Sequence, residues 1–413
     1  MERAELARML GAPLTAAEPR DTVICESEPA RFMAAFVQAV AQGGNVFLCD
    51  PAWGAGERAQ FAALTQSEVQ NPKSETGRGW LMIASGGTGG RIKLARHDQD
   101  TIFAAVHGFG EHFGLSRVGA VGVLPLHHVS GLMGWMRCAL TGGDFLPWNW
   151  KELEAGRRPA IVPGGHFLSL VPTQLQRLLA QPGAAAWLRD FRAVFLGGGP
   201  AWPELIEQAR AARVPLAPSY GLTETAAMVA ALPPEEFLAG RLSSGPALPH
   251  ARIGVTDEGV LRIAGESVFH GYFPDWRAGR ECVTEDAGFL DERGHVHVTG
   301  RRDNVIITGG KKVQPLEVEA ALRATGEFDD VAVIGLPHAE WGQQIVACYP
   351  ADGRAPDLAR AERMLADRLA PHARPKRFAA VADWPRSSQG KLNRAALAAG
   401  VSAGADPGGE GRR

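Results

Sequence analysis

Short apolar runs alternate with stretches of helical periodicity through the first half of this chain, and that rhythm leaves few folds open. Thr22-Val23-Ile24-Cys25 reads as a buried strand. Phe32, Phe36 and Val40 then recur at helical spacing, and Gly43-Gly44 supplies a helix stop. Val46-Phe47-Leu48-Cys49 and Leu81-Met82-Ile83-Ala84 are the next strands, with Glu68 to Arg78 a polar loop between them. The pattern returns at Ala120-Val121-Gly122-Val123-Leu124, Leu168-Ser169-Leu170-Val171 and Ala193-Val194-Phe195-Leu196. Apolar strands separated by helices predict a largely parallel sheet with helices packed over it.

The texture changes beyond Ser244. Arg252-Ile253-Gly254-Val255 and Gly259-Val260-Leu261-Arg262-Ile263 are short runs between turn residues, which predicts an antiparallel, barrel-like β subdomain. After Asp303 a helix is expected from Pro315, strands at Val331-Ala332-Val333-Ile334 and Ile345-Val346-Ala347-Cys348, and a helix from Ala361 to Leu369. The expected fold class is α/β: a large N-terminal domain of α/β subdomains plus the β subdomain, and a small mobile α+β C-terminal domain. The boundaries are 1–302, 303–401 and a Gly- and charge-rich tail, 402–413, read as disordered. Thr299 to Gly310, a charged turn followed by an apolar run and a glycine pair, is the seam between the two domains.

A net charge of -2 gives no reason to expect nucleic acid or an acidic membrane surface as partner. No apolar run reaches the roughly 18 residues of a membrane span. The N-terminus lacks the apolar core of a secretion signal, so a cytoplasmic protein is expected. The five cysteines are scattered with no CxxC pair, and several lie among apolar neighbours, as buried thiols of a reducing compartment would. A homodimer is compatible with all of this.

Five stretches carry candidate chemistry. Ser85-Gly86-Gly87-Thr88-Gly89-Gly90 follows a strand and leads to Arg91 and Lys93. Its glycines free backbone N–H groups for an anion, although a plain tight turn would look the same. In Ser219-Tyr220-Gly221-Leu222-Thr223-Glu224-Thr225, an acidic residue beside hydroxyls suits Mg²⁺ next to phosphate, and Tyr220 offers a ring to a base. A helix start capped by hydroxyls is the other reading. Gly197-Gly198-Gly199 allows a ligand against the backbone, or simply turns a strand into a helix. Asp286 and Arg301 near strand ends suit the two hydroxyls of a ribose, or are surface charges. Finally, Ser387-Ser388-Gln389-Gly390-Lys391 presents a lysine on a loop, where most lysines are only solvated.

In their order and content these stretches resemble the adenylate-forming family of acyl-CoA synthetases, luciferases and peptide-synthetase adenylation domains, from about Leu81 to Leu397. Tyr220-Gly221-Leu222-Thr223-Glu224 matches that family's motif without departure. The first loop departs at Gly86, Gly89 and Ile92, and Glu285 stands where glycine is usual before the ribose aspartate. The resemblance implies ATP, Mg²⁺ and coenzyme A as cofactors and co-substrates, and a carboxylic acid that becomes an acyl-adenylate and then a thioester. It implies catalytic roles for Lys391, Thr223, Glu224 and His128, with Glu224 also on the metal. Nucleotide and coenzyme contacts would come from Ser85, Gly86, Gly87, Thr88, Gly89, Gly90, Lys93, Gly198, Gly199, Ser219, Tyr220, Gly221, Asp286 and Arg301, with Gly309 and Gly310 lining the thiol tunnel. Asp303 would be the hinge of the small domain.

Within that family, Leu124 to Met133 is similar to the o-succinylbenzoate–CoA ligases of menaquinone synthesis, as are Leu170 to Leu178 and Leu196 to Pro200. His128 would gate the acyl pocket, or else be a buried histidine satisfied by a carbonyl. A ligase for another aryl or alkyl acid and a non-catalytic adenylate-binding homologue are the alternatives. His295 and His297 share a strand face, but no third metal ligand is evident.

Overall fold

The computed structural model describes residues 2–12, 18–69, 79–86, 92–386 and 392–403. The chain divides into two compact units. One comprises 1–201, 205–284 and 288–298; the other is 299–413 with two short excursions, 202–204 and 285–287. The division falls a few residues before the 302/303 boundary placed at the hinge aspartate.

The first unit holds three sheets. Strands β1 (Thr22–Ile24), β2 (Val46–Leu48) and β3 (Leu81–Gly86) run parallel, and β4 (Ile92–His97) returns antiparallel to β3. The second sheet uses β5 (Gly119–Gly122), β6 (Phe145–Pro147), β7 (His166–Leu170), β8 (Ala193–Leu196), β9 (Leu216–Leu222) and β10 (Ala227–Ala231). Its order is β10-β9-β8-β7-β5-β6, parallel except for the β9–β10 hairpin. The expected apolar runs are β1, β2, β3, β5, β7 and β8, whereas β4, β6, β9 and β10 were not foreseen; β2 and β8 are buried at every residue, but β1, expected to be buried, exposes Val23. The third sheet, β11 (Ala251–Val255), β12 (Val260–Gly265), β13 (Glu281–Leu290) and β14 (Val296–Arg301), is the appended β part.

The expected helix appears as Pro29–Gln42, with Phe32, Phe36 and Val40 buried and Gly43 closing it at φ 85°. Proline at its start and a left-handed glycine after its end are the usual terminators. A helix that periodicity did not reveal, Arg3–Met9, docks there. The Arg3 guanidinium donates to the carbonyls of Ala39, Val40 and Gly44 and lies 3.9 Å from the Trp80 ring centre. A cation on the last carbonyls of a helix also complements its dipole. Burial lowers the Arg3 pKa to about 10, against the raising influence of Asp21.

The second unit contains β15 (Ile306–Thr308), β16 (Lys311–Val313), β17 (Ala332–His338), β18 (Gly342–Pro350) and β19 (Arg377–Val381), with helices Pro315–Arg323, Leu358–Ala366 and Arg394–Ala403. The sheet order is β16-β15-β18-β17, with β19 parallel to β18. This is the small α+β fold expected, with two adjustments. The helix predicted to reach Leu369 stops at Ala366. The last helix runs through Ala403, so Ser402 and Ala403 are helical rather than tail; Leu397 and Val401 are buried on it, which extends the fold past the low-complexity boundary. The rest of the expected tail, 404–413, lies outside the described residues. Similarly, the loop expected from Glu68 begins in a helix, Ala55–Val69, and 70–78 lie outside the described residues. Four cysteines are buried and Cys25 is exposed, one position beyond the end of β1. Among the described residues no helix is long and apolar enough to cross a membrane.

Candidate active site

The site in the first unit is built where the β9–β10 hairpin meets the edge of β3–β4. Strand β9 ends at Leu222, and Thr223–Thr225 forms a single 3-10 turn. The turn is held by the Thr225 hydroxyl, which accepts the Leu222 N–H at 3.0 Å and lies 2.8 Å from the Ala227 carbonyl. Ala226 and Ala227 take φ of 50° and 76° to close it. Such backbone is costly for residues with a Cβ and persists where surrounding structure imposes it. Gly221 is required for a steric reason, since a Cβ there would sit 1.9 Å from the Ala227 carbonyl oxygen. The result is an inward-facing Glu224, only 8% exposed.

Two elements converge on that carboxylate, and one of them also holds its backbone. From β3, Ser85 Oγ donates to Glu224 Oε1 at 2.9 Å. From the segment following β12, the Tyr272 hydroxyl donates to the same oxygen at 2.6 Å. The Phe269 N–H holds the Glu224 backbone carbonyl at 2.8 Å. Residues 270–273 are themselves anchored along β4: His270 N–H to the Arg96 carbonyl, Arg96 N–H to the Gly271 carbonyl, and Phe273 N–H to the Leu94 carbonyl. Lys93, paired across the ladder with Ser85, places its Nζ 5.1 Å from the Tyr272 ring centre. The structure thus brings together Ser85 and Lys93 from one stretch and Glu224 from another. Burial first, and the Glu224 charge second, raise the Tyr272 pKa, so the phenol remains a donor.

Beneath the turn, His97 Nε2 lies 2.7 Å from the Thr223 carbonyl and its Nδ1 3.1 Å from the Thr101 hydroxyl. A carbonyl only accepts, so the proton sits on Nε2. Burial pushes the His97 pKa down to about 4, outweighing that hydrogen bond, and the ring is neutral at physiological pH. Asp98, beside it, caps the helix Gln99–His112 and meets His270 Nε2 at 2.6 Å. Burial works to raise the Asp98 pKa, but the His270 hydrogen bond and charge prevail and lower it.

Gly197, Gly198 and Gly199 follow β8. A Cβ on Gly197 would come within 3.0 Å of Ser219 Oγ, and Gly198 has φ 77°. Ser219 Oγ donates to the Leu196 carbonyl at 3.3 Å, tying the end of β8 to β9. Tyr220 is partly buried against the cluster of Ala230, Leu261 and Val296 rather than standing free. His128 precedes the helix Val129–Leu140, stacks beside His127 with ring centres 4.2 Å apart, and faces Asp50. His295 and His297 each have a local partner, Ser243 Oγ at 3.2 Å and Asp291 Oδ2 at 3.1 Å.

The second unit carries the other group. Arg301 forks onto Asp303, Nε to Oδ1 at 2.8 Å and Nη2 to Oδ2 at 2.7 Å, while Nη1 lies 3.5 Å from Asp286 Oδ1. That bidentate bond is the first cause of a raised Arg301 pKa. The expected ribose residues and hinge residue therefore form one charged cluster. Gly309 and Gly310, with φ of 54° and 74°, are the two-residue turn of the β15–β16 hairpin. Two successive left-handed residues are what a tight hairpin of this twist demands, which accounts for the glycine pair locally. Gly87, Thr88, Gly89, Gly90 and Lys391 lie outside the described residues.

Sequence reasoning missed Tyr272, His97 and Asp50. Tyr272 is one of only three tyrosines in the chain, which is a faint signal for a polar role. His97 meets Thr223, and Asp50 meets His127 and His128, only in the folded chain.

The pattern of the family described as AMP-binding enzyme matches residues 7–273, and that of the AMP-binding enzyme C-terminal domain matches 317–391. The chain belongs to the AMP-binding enzyme family. Relatives within the family include 2-succinylbenzoate–CoA ligases. That of Enterococcus faecalis is 29% identical over 80% of this chain and 71% of its own length. That of Geobacillus kaustophilus is 32% identical over 75% of this chain and 63% of its own length. The Listeria monocytogenes ligase is 33% identical, over 66% of this chain and 59% of its own. The chain thus spans about three-fifths to seven-tenths of these relatives. Among solved structures, o-succinylbenzoate CoA synthetase from Bacillus subtilis, bound to its acyl-adenylate intermediate, superposes with a TM-score of 0.77 at 21% identity, covering 96% of this chain and 91% of that one. The ATP-bound MatB of Rhodopseudomonas palustris gives the same score and coverage at 22% identity. Both likenesses establish the adenylate-forming fold.

Glu224 fits a hard cation. It is a buried carboxylate oriented by two hydroxyl donors, and Mg²⁺ is usually held by one or two carboxylates together with substrate phosphates.

Proposed function

We propose that this protein is an ATP-dependent acid–CoA ligase whose acid is 2-succinylbenzoate. The acid carboxylate attacks the α-phosphorus of ATP, forming a C–O–P linkage and expelling pyrophosphate. The thiol of coenzyme A then attacks the acyl carbon, giving the thioester and releasing AMP. Mg²⁺ at Glu224 would offset phosphate charge during the first step. Tyr272 and Ser85 orient Glu224; Thr223, Ser219, Tyr220, Gly221 and the Gly198-Gly199 turn would border the nucleotide; Asp286 and Arg301 would take the ribose. Lys391 would stabilise the charge that shifts onto phosphate oxygen in the adenylation step, and Asp303 would be the pivot that brings it in and out.

The observation that carries the choice of acid is the set of 2-succinylbenzoate–CoA ligases at about 30% identity. Support for the adenylation step is the convergence of Ser85, Lys93, Tyr272 and Glu224. The pivot is helped by energetics: the Arg301–Asp303 pair is about one-third exposed, and exposed pairs are worth ~0–1 kcal/mol, so breaking it costs little.

The test is pyrophosphate release across a panel of acids with and without coenzyme A. Release with 2-succinylbenzoate at a kcat/KM at least tenfold above benzoate and hexanoate is expected. Preference for either of those sinks the assignment of the acid, and no release with any acid leaves only a binding role. Lys391→Ala should remove adenylate formation while sparing thioester formation from pre-made acyl-adenylate.

A further inference from the structure

Asp50, His127 and His128 form a cluster in which the ligase reading gives a role to His128 alone, as the gate of the acyl pocket, and none to Asp50 or His127. Asp50 follows β2, two residues beyond its end, and its Oδ1 accepts the Ala52 N–H at 2.8 Å, which fixes the carboxylate. His127 and His128 sit immediately before the helix Val129–Leu140, and the His128 side chain makes no cap hydrogen bond there. His127 Nε2 lies 3.5 Å from Asp50 Oδ1, and His128 Nε2 lies 3.9 Å from Asp50 Oδ2. One ligand atom from each of the three residues falls within 4.8 Å of the others. The side chains of His127, His128 and Asp50 are 5%, 11% and 13% exposed.

Among the described residues, neither ring nitrogen of His127 has a hydrogen-bond partner. A buried polar group left so costs about 1–3 kcal/mol. A hydrogen-bonded imidazolium–carboxylate pair would close to about 2.7–2.9 Å, and neither distance here does. A tetrahedral metal with bonds of about 2.0–2.1 Å instead spaces its ligands about 3.3–3.4 Å apart. The 3.5 Å contact matches that edge, and the 3.9 Å contact reaches it with a small rotation of one ring. The Asp50 carboxylate in the middle disfavours an anionic occupant.

We propose that Asp50, His127 and His128 bind a divalent transition-metal ion of the Zn²⁺ class, as a site separate from Mg²⁺ at Glu224. Two imidazoles and one carboxylate are a borderline donor set that favours zinc, cobalt or nickel over the all-oxygen preference of magnesium. Three protein ligands leave one tetrahedral position for water or a ligand oxygen.

The test uses untagged full-length protein, stripped with a chelator and then dialysed against Zn²⁺ in a millimolar excess of Mg²⁺. About one Zn²⁺ per chain should be retained, and Co²⁺ in its place should give the intense visible bands of a four-coordinate ion. His127→Ala and Asp50→Asn should each weaken binding about 10–100-fold, while Glu224→Gln should leave it unchanged. Zn²⁺ should raise the unfolding midpoint of the parent protein and not that of His127→Ala. Should His127→Ala fail to fold, His128→Gln gives the same comparison. Retention of far less than one equivalent, equal binding in the cluster variants, or loss on Glu224→Gln would overturn the assignment. Metal content is read directly, so failure of the acid panel does not touch this proposal.

Discussion

Of the two hydroxyls that orient Glu224, the one from Tyr272 lies in no motif. Tyr272→Phe keeps the ring against Phe269 and Lys93 and removes only the 2.6 Å donor. A hydrogen bond to a charged group is worth about 1.5–3 kcal/mol. If most of that holds the carboxylate for the adenylation step, the rate of pyrophosphate formation should fall about tenfold or more. Stopped-flow or steady-state pyrophosphate assays at saturating ATP would show it, and an unchanged kcat would assign Tyr272 to packing alone. The sequence offers Ser85 as a nucleotide contact, and the fold also makes its hydroxyl a donor to Glu224 of the neighbouring motif, because β3 and the β9–β10 hairpin meet there. A reading of single motifs sees the hydroxyl but not which acceptor lies opposite.

At the scale of elements, the β9–β10 hairpin is the part whose geometry decides the site. Gly221→Ala would drive a Cβ to 1.9 Å from a backbone oxygen, which cannot be relieved by a rotamer change. The two strands must part, and overpacking of this kind costs roughly 1–3 kcal/mol. Urea unfolding should report that loss together with a reduced adenylation rate; parent-like stability would mean the hairpin is looser than it stands here. Six strands of the first two sheets, β1, β2, β3, β5, β7 and β8, were legible because each is a short apolar run, whereas β4 and β9 mix polar residues into the strand and were not. The helix Arg3–Met9 was not, because its character comes from Arg3 reaching the carbonyls of a helix more than thirty residues away. The segment 270–273 was likewise invisible as a partner of β4, since it is too short and irregular to carry a strand pattern.

For the whole molecule, buried histidines set the response to acid. Burial lowers the pKa values of both His97 and His250 to about 4, whereas the unfolded chain protonates them near 6.5. Below about pH 6.5 the unfolded state therefore binds more protons, and stability falls as pH drops towards 4 at up to ~1.4 kcal/mol per pH unit for each ring. Asp98, with its pKa lowered by His270, adds a contribution that is complete above about pH 3.9 and is lost as pH falls through its depressed value. Urea midpoints at pH 7.0 and 5.0 should differ by the equivalent of a few kcal/mol, with the lower stability at pH 5.0. A flat profile over that interval would show that these rings are accessible to solvent.

The sequence by itself determined the alternation of strands and helices, the appended β region, the small α+β unit and the order of the adenylate-forming motifs. These follow from local periodicity, turn chemistry and short residue strings, all of which are written along the chain. Only the tertiary structure decided that Ser85 and Tyr272 share one oxygen of Glu224, that Arg301 forks onto Asp303, and that Asp50 faces two histidines. Those contacts depend on which strand edges pair and how turns aim their side chains. Pairing is settled by burial and backbone hydrogen bonding across the fold, over separations that no window of sequence spans.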